Sequence, residues 1–314
     1  MVVGRSKSKC SCLLISFATL IAFGSTASLA QQNTSRSDLG TERLQLRVAS
    51  FAISAEPPES VEPQEPQPLW RHTFGSERRA PARRRPVQFQ ADIVVLQGVT
   101  NLGVVRQMLP ASLYRVVASR QILENVHATR DAPQVQTTAI AIRRDARLRT
   151  VAHEHMLELA EPPPGAETPL SAGIAMRVLG NRRPFWVLSV DLAQGCSGST
   201  VQDQPQCAAA KRQLDLVEAW LSEKVAAGEA AIIAGRFPIE HGEGSLPGKL
   251  GQLTGSNGKL AGTCPDGGKS IARTYVLIAP SSRPDAEVTF QGHVEPVDKR
   301  KPEWGCALLA DVSF

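Results

Sequence analysis

CAAAKRQLDLVEAWLSEKVAAGEAAIIAGRFP, residues 207–238, has the pattern of a helix followed directly by a buried strand and a turn. Its large apolar residues recur at helical spacing, at Leu214, Val217, Leu221 and Val225. Gly228 ends that pattern, and the continuous apolar run over 230–234 predicts a buried strand directly after the helix. Gly-Arg-Phe-Pro follows at the C-terminal end of the strand, where α/β sheets usually hold their chemical groups. We therefore expect a functional site at this turn, although an arginine and a proline occupy it.

Further strands are predicted on both sides of this unit. Apolar runs and alternation indicate strands at 44–53, 91–96, 114–119, 137–142, 148–159, 172–179, 185–192, 272–279, 286–291 and 306–314. A short helix is predicted at 102–109, a hairpin turn at 180–181, and a Gly-rich connection from 238 to about 268. Many strands with few helices predict an α/β protein in which two packed sheets carry helices on the outside.

The N-terminus has the pattern of a secretory signal peptide. Three basic residues precede an apolar run over 13–23, and Ser28-Leu29-Ala30 supplies small residues before a cleavage site after Ala30. The run is shorter than the roughly 20 residues of a membrane-spanning helix. We expect an exported, periplasmic or extracellular protein without a membrane span after cleavage. Residues 31–43 are expected to form a flexible segment before the domain.

Removal of the predicted signal peptide lowers the net charge and leaves an even number of cysteines. Residues 1–30 carry three basic and no acidic residues, so their removal lowers the net charge from +5 to +2, which gives no strong nucleic-acid signal. Four cysteines then remain, and an even number in an exported chain indicates two disulfides with three possible connectivities. The short loop between Cys196 and Cys207 favours that pair, which leaves Cys264 with Cys306.

Two further segments have alternative interpretations. Residues 55–86 contain an acidic Pro-rich block followed by a basic one; Arg83, Arg84 and Arg85 could bind an anion, but the composition favours a solvated loop. His153 and His155 lie two residues apart and hence on one face of a strand. They could bind a metal, but with no third ligand nearby in sequence, exposed strand residues are the favoured interpretation.

Six fragments, in order, resemble those of the endonuclease/exonuclease/phosphatase superfamily, which has the fold of deoxyribonuclease I. They are VASFAIS at 48–54, ADIVVLQGV at 91–99, WVLSVDLAQGC at 186–196, IIAGRFP at 232–238, RTYVLIAP at 273–280 and EWGCALLADVSF at 303–314. The resemblance implies one domain over 44–314. It also implies a four-layered α/β sandwich, with two mainly antiparallel sheets flanked by helices.

The resemblance also implies where a catalytic site would lie. The family holds a divalent cation, usually magnesium, with an Asn, a Glu and aspartates, and it activates water with a His-Asp pair and a second Asp. In this chain the corresponding positions hold Ala52, Gly98, Asp191, Arg236, Pro238, Thr274, Glu303, Trp304 and Gly305. Alanine, glycine and proline side chains supply no oxygen ligand, and the permanent charge of Arg236 repels a cation. We therefore expect a degenerate, non-catalytic member with a binding or scaffold role and no cofactor.

Three alternatives stay open at this point. Arg236 could bind a phosphorylated or otherwise anionic ligand, or it could pair with a neighbour such as Asp191. Asp191 and Glu303 could form a relocated acid/base or metal pair. Finally, the protein could be a secreted phosphodiesterase or nuclease that uses Mg²⁺ or Mn²⁺ with non-standard residues.

Overall fold

A computed structural model gives the architecture of a large part of the domain. It describes residues 44–53, 89–127, 135–163, 165–166, 169–180, 183–194, 205–237, 250, 259–263, 273–280, 289–296 and 306–313. The predicted signal peptide, the segment 31–43 and the Pro/Arg-rich loop 55–86 lie outside the described residues. No helix within the described ranges combines the length and the apolar character needed to cross a membrane.

The described strands form two six-stranded sheets. In chain order the strands are β1 (Gln45–Ala52), β2 (Ile93–Val99), β3 (Tyr114–Ala118), β4 (Thr137–Arg143), β5 (Leu148–Met156), β6 (Gly173–Gly180), β7 (Arg183–Asp191), β8 (Ala230–Phe237), β9 (Lys259–Thr263), β10 (Arg273–Ala279), β11 (Thr289–Pro296) and β12 (Cys306–Ser313). The first sheet has the order β11-β12-β1-β2-β4-β3, and the second has the order β5-β6-β7-β8-β10-β9. Only β1 with β2 and β7 with β8 pair in parallel. The sheets are therefore mainly antiparallel, as predicted.

Three helices connect strands within the described ranges: α1 (Leu102–Met108), α2 (Ile122–His127) and α3 (Pro205–Ala226). A 3₁₀ turn, Leu157–Ala160, follows β5. Helix α3 confirms the predicted helix, and Gly228 ends it with a φ of 75° after its N–H donates to Val225 O at 2.9 Å.

Alternating side chains build three hydrophobic clusters, one between the two sheets and one on the outer face of each sheet. Along β2, Ile93 and Val95 join a central cluster that also contains Ile174 and Ile232 of the second sheet, so this cluster lies between the sheets. A second cluster joins the opposite face of the first sheet to Val105 and Met108 of α1. A third joins the outer face of the second sheet to Val217, Trp220 and Leu221 of α3. Helix, sheet, sheet and helix form the four predicted layers.

Polar contacts fix α3 on its sheet. Lys224 is 7% exposed, and its Nζ lies 3.0 Å from Glu154 Oε1 of β5 and 4.6 Å from the ring centroid of Trp186 in β7. Trp220 Nε1 donates to Glu154 Oε2 at 2.9 Å. Because these groups belong to the helix and to two strands, they set the position of α3 along the sheet.

The structure corrects several predicted boundaries. The Gly-rich connection contains β9, and the strand predicted at 286–291 lies instead at Thr289–Pro296. The strand predicted to end at 159 ends at Met156, and α2 was not predicted. Strands β9 and β11 lie at the edges of their sheets, with one neighbouring strand each. Edge strands tolerate glycine and proline, which weaken the sequence pattern of a strand.

Of the four cysteines, Cys207 lies at the start of α3 and is disulfide-bonded. Cys196 and Cys264 lie outside the described residues, and Cys306 begins β12. The two predicted pairings therefore stay predictions.

Candidate functional site

The two parallel strand pairs end at the same end of the sandwich. Ser189 Oγ of β7 donates to Leu96 O of β2 at 3.1 Å, across the gap between the sheets. Thr138 Oγ1 of β4 donates to Ala172 O at 3.0 Å and lies 3.3 Å from Ser189 O. These contacts join the C-terminal ends of β2 and β7. The positions at which the resemblance implies a site therefore lie together.

Buried polar side chains lie between the apolar core and this end of the sandwich. Ser50 and Gln97 are fully buried and form a side-chain hydrogen bond at 3.3 Å between β1 and β2. Gln121, 2% exposed, accepts from Ala172 N and donates to Leu170 O, both at 2.7 Å. Each of these groups has a partner, as buried polar groups require. The network holds the strand ends and adjoining loops in fixed positions.

An ion pair occupies the centre of the candidate site. Arg236 of β8 donates from Nε to Asp191 Oδ1 at 2.6 Å and from Nη2 to Asp191 Oδ2 at 2.7 Å. Parallel register places the two residues opposite each other, and Leu192 N donates to Arg236 O at 3.0 Å just beyond them. The Asp191 side chain is 4% exposed and the Arg236 side chain 24%. This is the two-bond geometry that arginine forms with carboxylates.

Arg236 was expected either to bind an anionic ligand or to pair with a neighbour such as Asp191. The pairing with Asp191 is present. An anionic ligand at Arg236 would have to displace a carboxylate that has little access to water and whose other described side-chain contact is Ser171 Oγ at 3.5 Å.

The remaining implied site positions flank this pair. Ala52 is in register with Gln97, the residue before Gly98, and Thr274 of β10 is in register with Arg236. Five of the implied positions, Ala52, Gly98, Asp191, Arg236 and Thr274, are thus brought to one end of the two sheets. Pro238, Glu303, Trp304 and Gly305 lie outside the described residues, so the proposed pairing of Asp191 with Glu303 stays a hypothesis.

Gly98, at the implied position of the metal-binding glutamate, has no room for a side chain. Its φ is 69°, and a Cβ placed on it would lie 2.5 Å from Ile53 O. The pairing of β2 with β4 shifts register between Leu96 and Val99, which marks a β-bulge at this point. Backbone in the left-handed region favours glycine. The local backbone therefore excludes a glutamate in this conformation.

The two histidines of β5 form a separate polar cluster. Their ring centroids lie 5.2 Å apart, and His155 Nδ1 accepts from Arg120 N at 3.0 Å. Within the described ranges, no group of three or more His, Cys, Asp or Glu side chains is arranged to hold a metal ion. Burial of the ring lowers the pKa of His155, and the charges of His153 and Arg120 lower it further.

His155 is expected to make stability depend on pH. A lowered folded-state pKa means that the unfolded chain binds the proton more tightly, so the contribution of His155 is complete above the unfolded pKa of about 6.5. It is lost as the pH falls from there through the folded-state pKa. Denaturant unfolding of His155→Asn, which keeps an acceptor for Arg120 N, should show a weaker loss of stability toward acid. His153→Asn is the control, and an unchanged acid dependence in His155→Asn would contradict the assignment.

Sequence reasoning missed the buried polar residues that support the site. Ser50, Gln97, Thr138 and Ser189 are all fully buried. A signal for them exists, because each is a polar residue in or directly after a predicted strand. However, that signal does not show which sheet or which strand supplies the partner.

The chain has the endonuclease/exonuclease/phosphatase-like fold. Two six-stranded, mainly antiparallel sheets pack between helices, and the site positions lie at one end of the sheets. Three solved structures with this fold illustrate the similarity. An endonuclease/exonuclease/phosphatase from Bacteroides vulgatus is 14% identical with a TM-score of 0.55, and the match covers 86% of this chain and 98% of that one. A functionally unknown conserved protein from Enterococcus faecalis is 14% identical with a TM-score of 0.54, covering 85% and 99%. TDP2 from C. elegans is 14% identical with a TM-score of 0.52, covering 88% and 78%.

At this identity the similarity is one of fold. No family profile matches the sequence, and no curated protein matches it.

Proposed function

We propose that this chain is an exported, non-catalytic protein with an endonuclease/exonuclease/phosphatase-like fold and a binding or scaffold role. The observation that carries the proposal is the Asp191–Arg236 pair. Both carboxylate oxygens of Asp191 accept hydrogen bonds from one guanidinium at 2.6 and 2.7 Å. At the five described site positions Asp191 is the sole carboxylate, and it is already neutralised.

Cation-assisted hydrolysis needs groups that these positions do not supply. Magnesium prefers carboxylate and carbonyl oxygens in near-octahedral geometry. Ala52 has no polar side chain, and the backbone at Gly98 leaves no room for one. Thr274 has a single hydroxyl group, and the residue is only 7% exposed. The guanidinium of Arg236 adds a permanent positive charge where a cation would have to bind. The proposed function therefore requires neither Mg²⁺ nor Mn²⁺.

Export rests on the sequence of the N-terminus and on the cysteine count. The pattern of residues 1–30 is that of a cleaved signal peptide. Four cysteines in the remaining chain suit an oxidising compartment, in which disulfides persist. A role outside the cytoplasm follows from both features. Its ligand or partner is one that binds without being hydrolysed.

A direct assay distinguishes this proposal from a metal-dependent phosphodiesterase. The purified mature protein is incubated with bis(p-nitrophenyl) phosphate and Mg²⁺ or Mn²⁺, beside an active nuclease of the same fold. We expect a rate equal to that of the buffer with metal alone. The proposal fails if the protein gives turnover that EDTA stops and that Asp191→Asn removes.

The assay includes a check that the Asp191→Asn variant folds and a matched control variant. Asp191→Asn keeps an oxygen acceptor for Arg236, so the variant is expected to fold, and its unfolding curve verifies this. Asp145→Asn is the matched control, because Asp145 is an exposed aspartate that pairs with Arg143 at 2.7 Å. Turnover that persists in Asp191→Asn would point to a contaminating enzyme or to different residues.

A further inference from the structure

A small cavity at the other end of the first sheet is lined by three arginines. It has a volume of about 170 Å³ and lies between α1, β3 and the turn after β4. Arg106 comes from the last turn of α1, Arg115 from β3, and Arg144 from the residue that follows β4. Sequence reasoning did not identify this cavity, because the three arginines lie on three separate elements.

The cavity is separate from the candidate site. Tyr114, which lines it, is in register with Arg143, and the neighbouring Ile142 is in register with Ile93 at the start of β2. Gly98 and the Asp191–Arg236 pair belong to the opposite, C-terminal ends of the parallel strands. A ligand bound at this cavity would therefore be independent of the proposed function.

The three guanidinium groups are available to a ligand. In the part of the chain that the structure describes, none of them forms an ion pair, and all three residues are exposed. The neighbouring carboxylates are already bound, since Arg143 pairs with Asp92 at 2.9 Å and with Asp145 at 2.7 Å. The partial negative charge at the end of α1 is about half an elementary charge, which three guanidinium groups outweigh.

The frame of the cavity is held in place. Arg144 donates from Nε to Ala111 O at 2.6 Å, and its backbone N–H donates to Leu113 O at 2.8 Å, which orients the side chain and leaves the Nη groups for a ligand. Tyr114 is 2% exposed, and its hydroxyl donates to Ala91 O at 3.0 Å. A binding site whose parts are fixed before the ligand arrives loses less entropy on binding.

From this arrangement we infer that the cavity bounded by Arg106, Arg115 and Arg144 binds the phosphate group of a small phosphorylated molecule. Guanidinium groups form charge-assisted hydrogen bonds with phosphate oxygens, and a phosphate dianion has several equivalent oxygens to accept them. The cavity volume is about 170 Å³, whereas a single water molecule needs about 10–15 Å³. The cavity therefore has room for a phosphate in place of several water molecules. We name this cavity the arginine pocket after these three residues.

Calorimetric titration of the purified protein with inorganic phosphate tests the inference. Ionic strength is held constant with chloride, and sulfate and acetate are titrated in parallel. We expect saturable binding of the two tetrahedral anions and at least about tenfold weaker binding of acetate, which presents only one carboxylate. Equal affinity for acetate would overturn the assignment to a phosphate group.

Substitutions locate the site. Arg106→Gln and Arg115→Gln are exposed changes that should not unfold the protein, and each is expected to raise the phosphate dissociation constant about tenfold. Arg149→Gln is the matched control, because Arg149 is exposed on β5 of the other sheet. If the double variant Arg106→Gln/Arg115→Gln binds phosphate as the unmodified protein does, or if Arg149→Gln weakens binding equally, the inference is wrong. Absence of saturable phosphate binding in the unmodified protein would also overturn it.

Discussion

Replacing Gly98 by alanine is expected to destabilise the protein by about 3 kcal/mol or more, since it combines an unfavourable backbone conformation with a steric clash. The left-handed conformation costs a non-glycine residue about 1–2 kcal/mol. In addition, the new Cβ would lie 2.5 Å from Ile53 O, so the backbone of the buried bulge must move. Denaturant unfolding monitored by circular dichroism gives the change in the free energy of unfolding.

Gly165→Ala is the matched control for this substitution. Gly165 also has a positive φ, 82°, but a Cβ there would meet no atom within 4 Å. It should therefore show only the conformational cost of about 1 kcal/mol. The difference between the two variants measures the clash at Gly98. Equal destabilisation would show that the bulge yields easily and that a side chain can be placed there.

The same glycine decides whether a metal site can be restored. Gly98→Glu places the glutamate that the resemblance implies, and we expect it to unfold the protein more readily without creating magnesium binding. If calorimetry instead detects a bound cation in a folded Gly98→Glu variant, the site needs only that one ligand. The structural reason for assigning a non-catalytic role would then be lost.

The fold was predictable from the sequence because the strong signals are local. The helix over 205–226 has large apolar residues at helical spacing, and the strands over 230–237 and 93–99 each begin with a continuous apolar run. Strand β9, KLAGT, has no such pattern, since it contains one large apolar residue. It forms through its pairing with β10, a long-range contact that its own sequence does not indicate.

The candidate site was predictable in position and only partly in chemistry. The resemblance places Ala52, Asp191 and Arg236 in one region, and the structure brings them to one end of the sandwich. What the sequence left open is the partner of Arg236. The parallel register of β7 and β8 decides that partner, because a shift of one residue would turn Asp191 away from Arg236.

Gly98 shows the same limitation in another form. Sequence comparison registers the loss of a glutamate, whereas the structure adds a positive φ and a carbonyl in the place of the side chain. The φ of Gly98 and the position of Ile53 O are set by the pairing of the strands, which the sequence alone does not show. A side chain at position 98 would therefore require a local rearrangement of the strand.

The Asp191–Arg236 pair is expected to give the second large effect. Arg236→Met removes the two hydrogen bonds that the guanidinium donates to the Asp191 carboxylate, which is 4% exposed, and we expect a loss of about 3–5 kcal/mol as found for broken buried ion pairs. Asp191→Leu leaves a guanidinium that is 24% exposed and therefore reaches water, so its cost should be smaller, about 1–3 kcal/mol. Both losses would be measured by denaturant unfolding at neutral pH.

The double variant Asp191→Leu/Arg236→Met completes a thermodynamic cycle. Replacing both charges by apolar groups of similar size is often close to neutral, so the double variant should be more stable than Arg236→Met alone. A coupling free energy of about 2 kcal/mol or more between the two residues is the expected result. Additive losses would show that the pair does not stabilise the fold as a unit. Arg47 and Asp311, which form an ion pair at 2.8 Å with side chains 43% and 54% exposed, provide an exposed control cycle with an expected coupling below about 1 kcal/mol.

The sign of the Arg236→Met effect also separates a structural role from a binding role. A residue kept for ligand binding is often held at the expense of stability, so its replacement by an apolar residue commonly stabilises the protein. A residue whose charge is neutralised by a buried neighbour destabilises the protein when it is removed. A loss of several kcal/mol would make Arg236 part of the fold, which is the result that the geometry of the pair leads us to expect. A gain in stability would instead count against a structural role for Arg236 and would leave anion binding as the hypothesis to test.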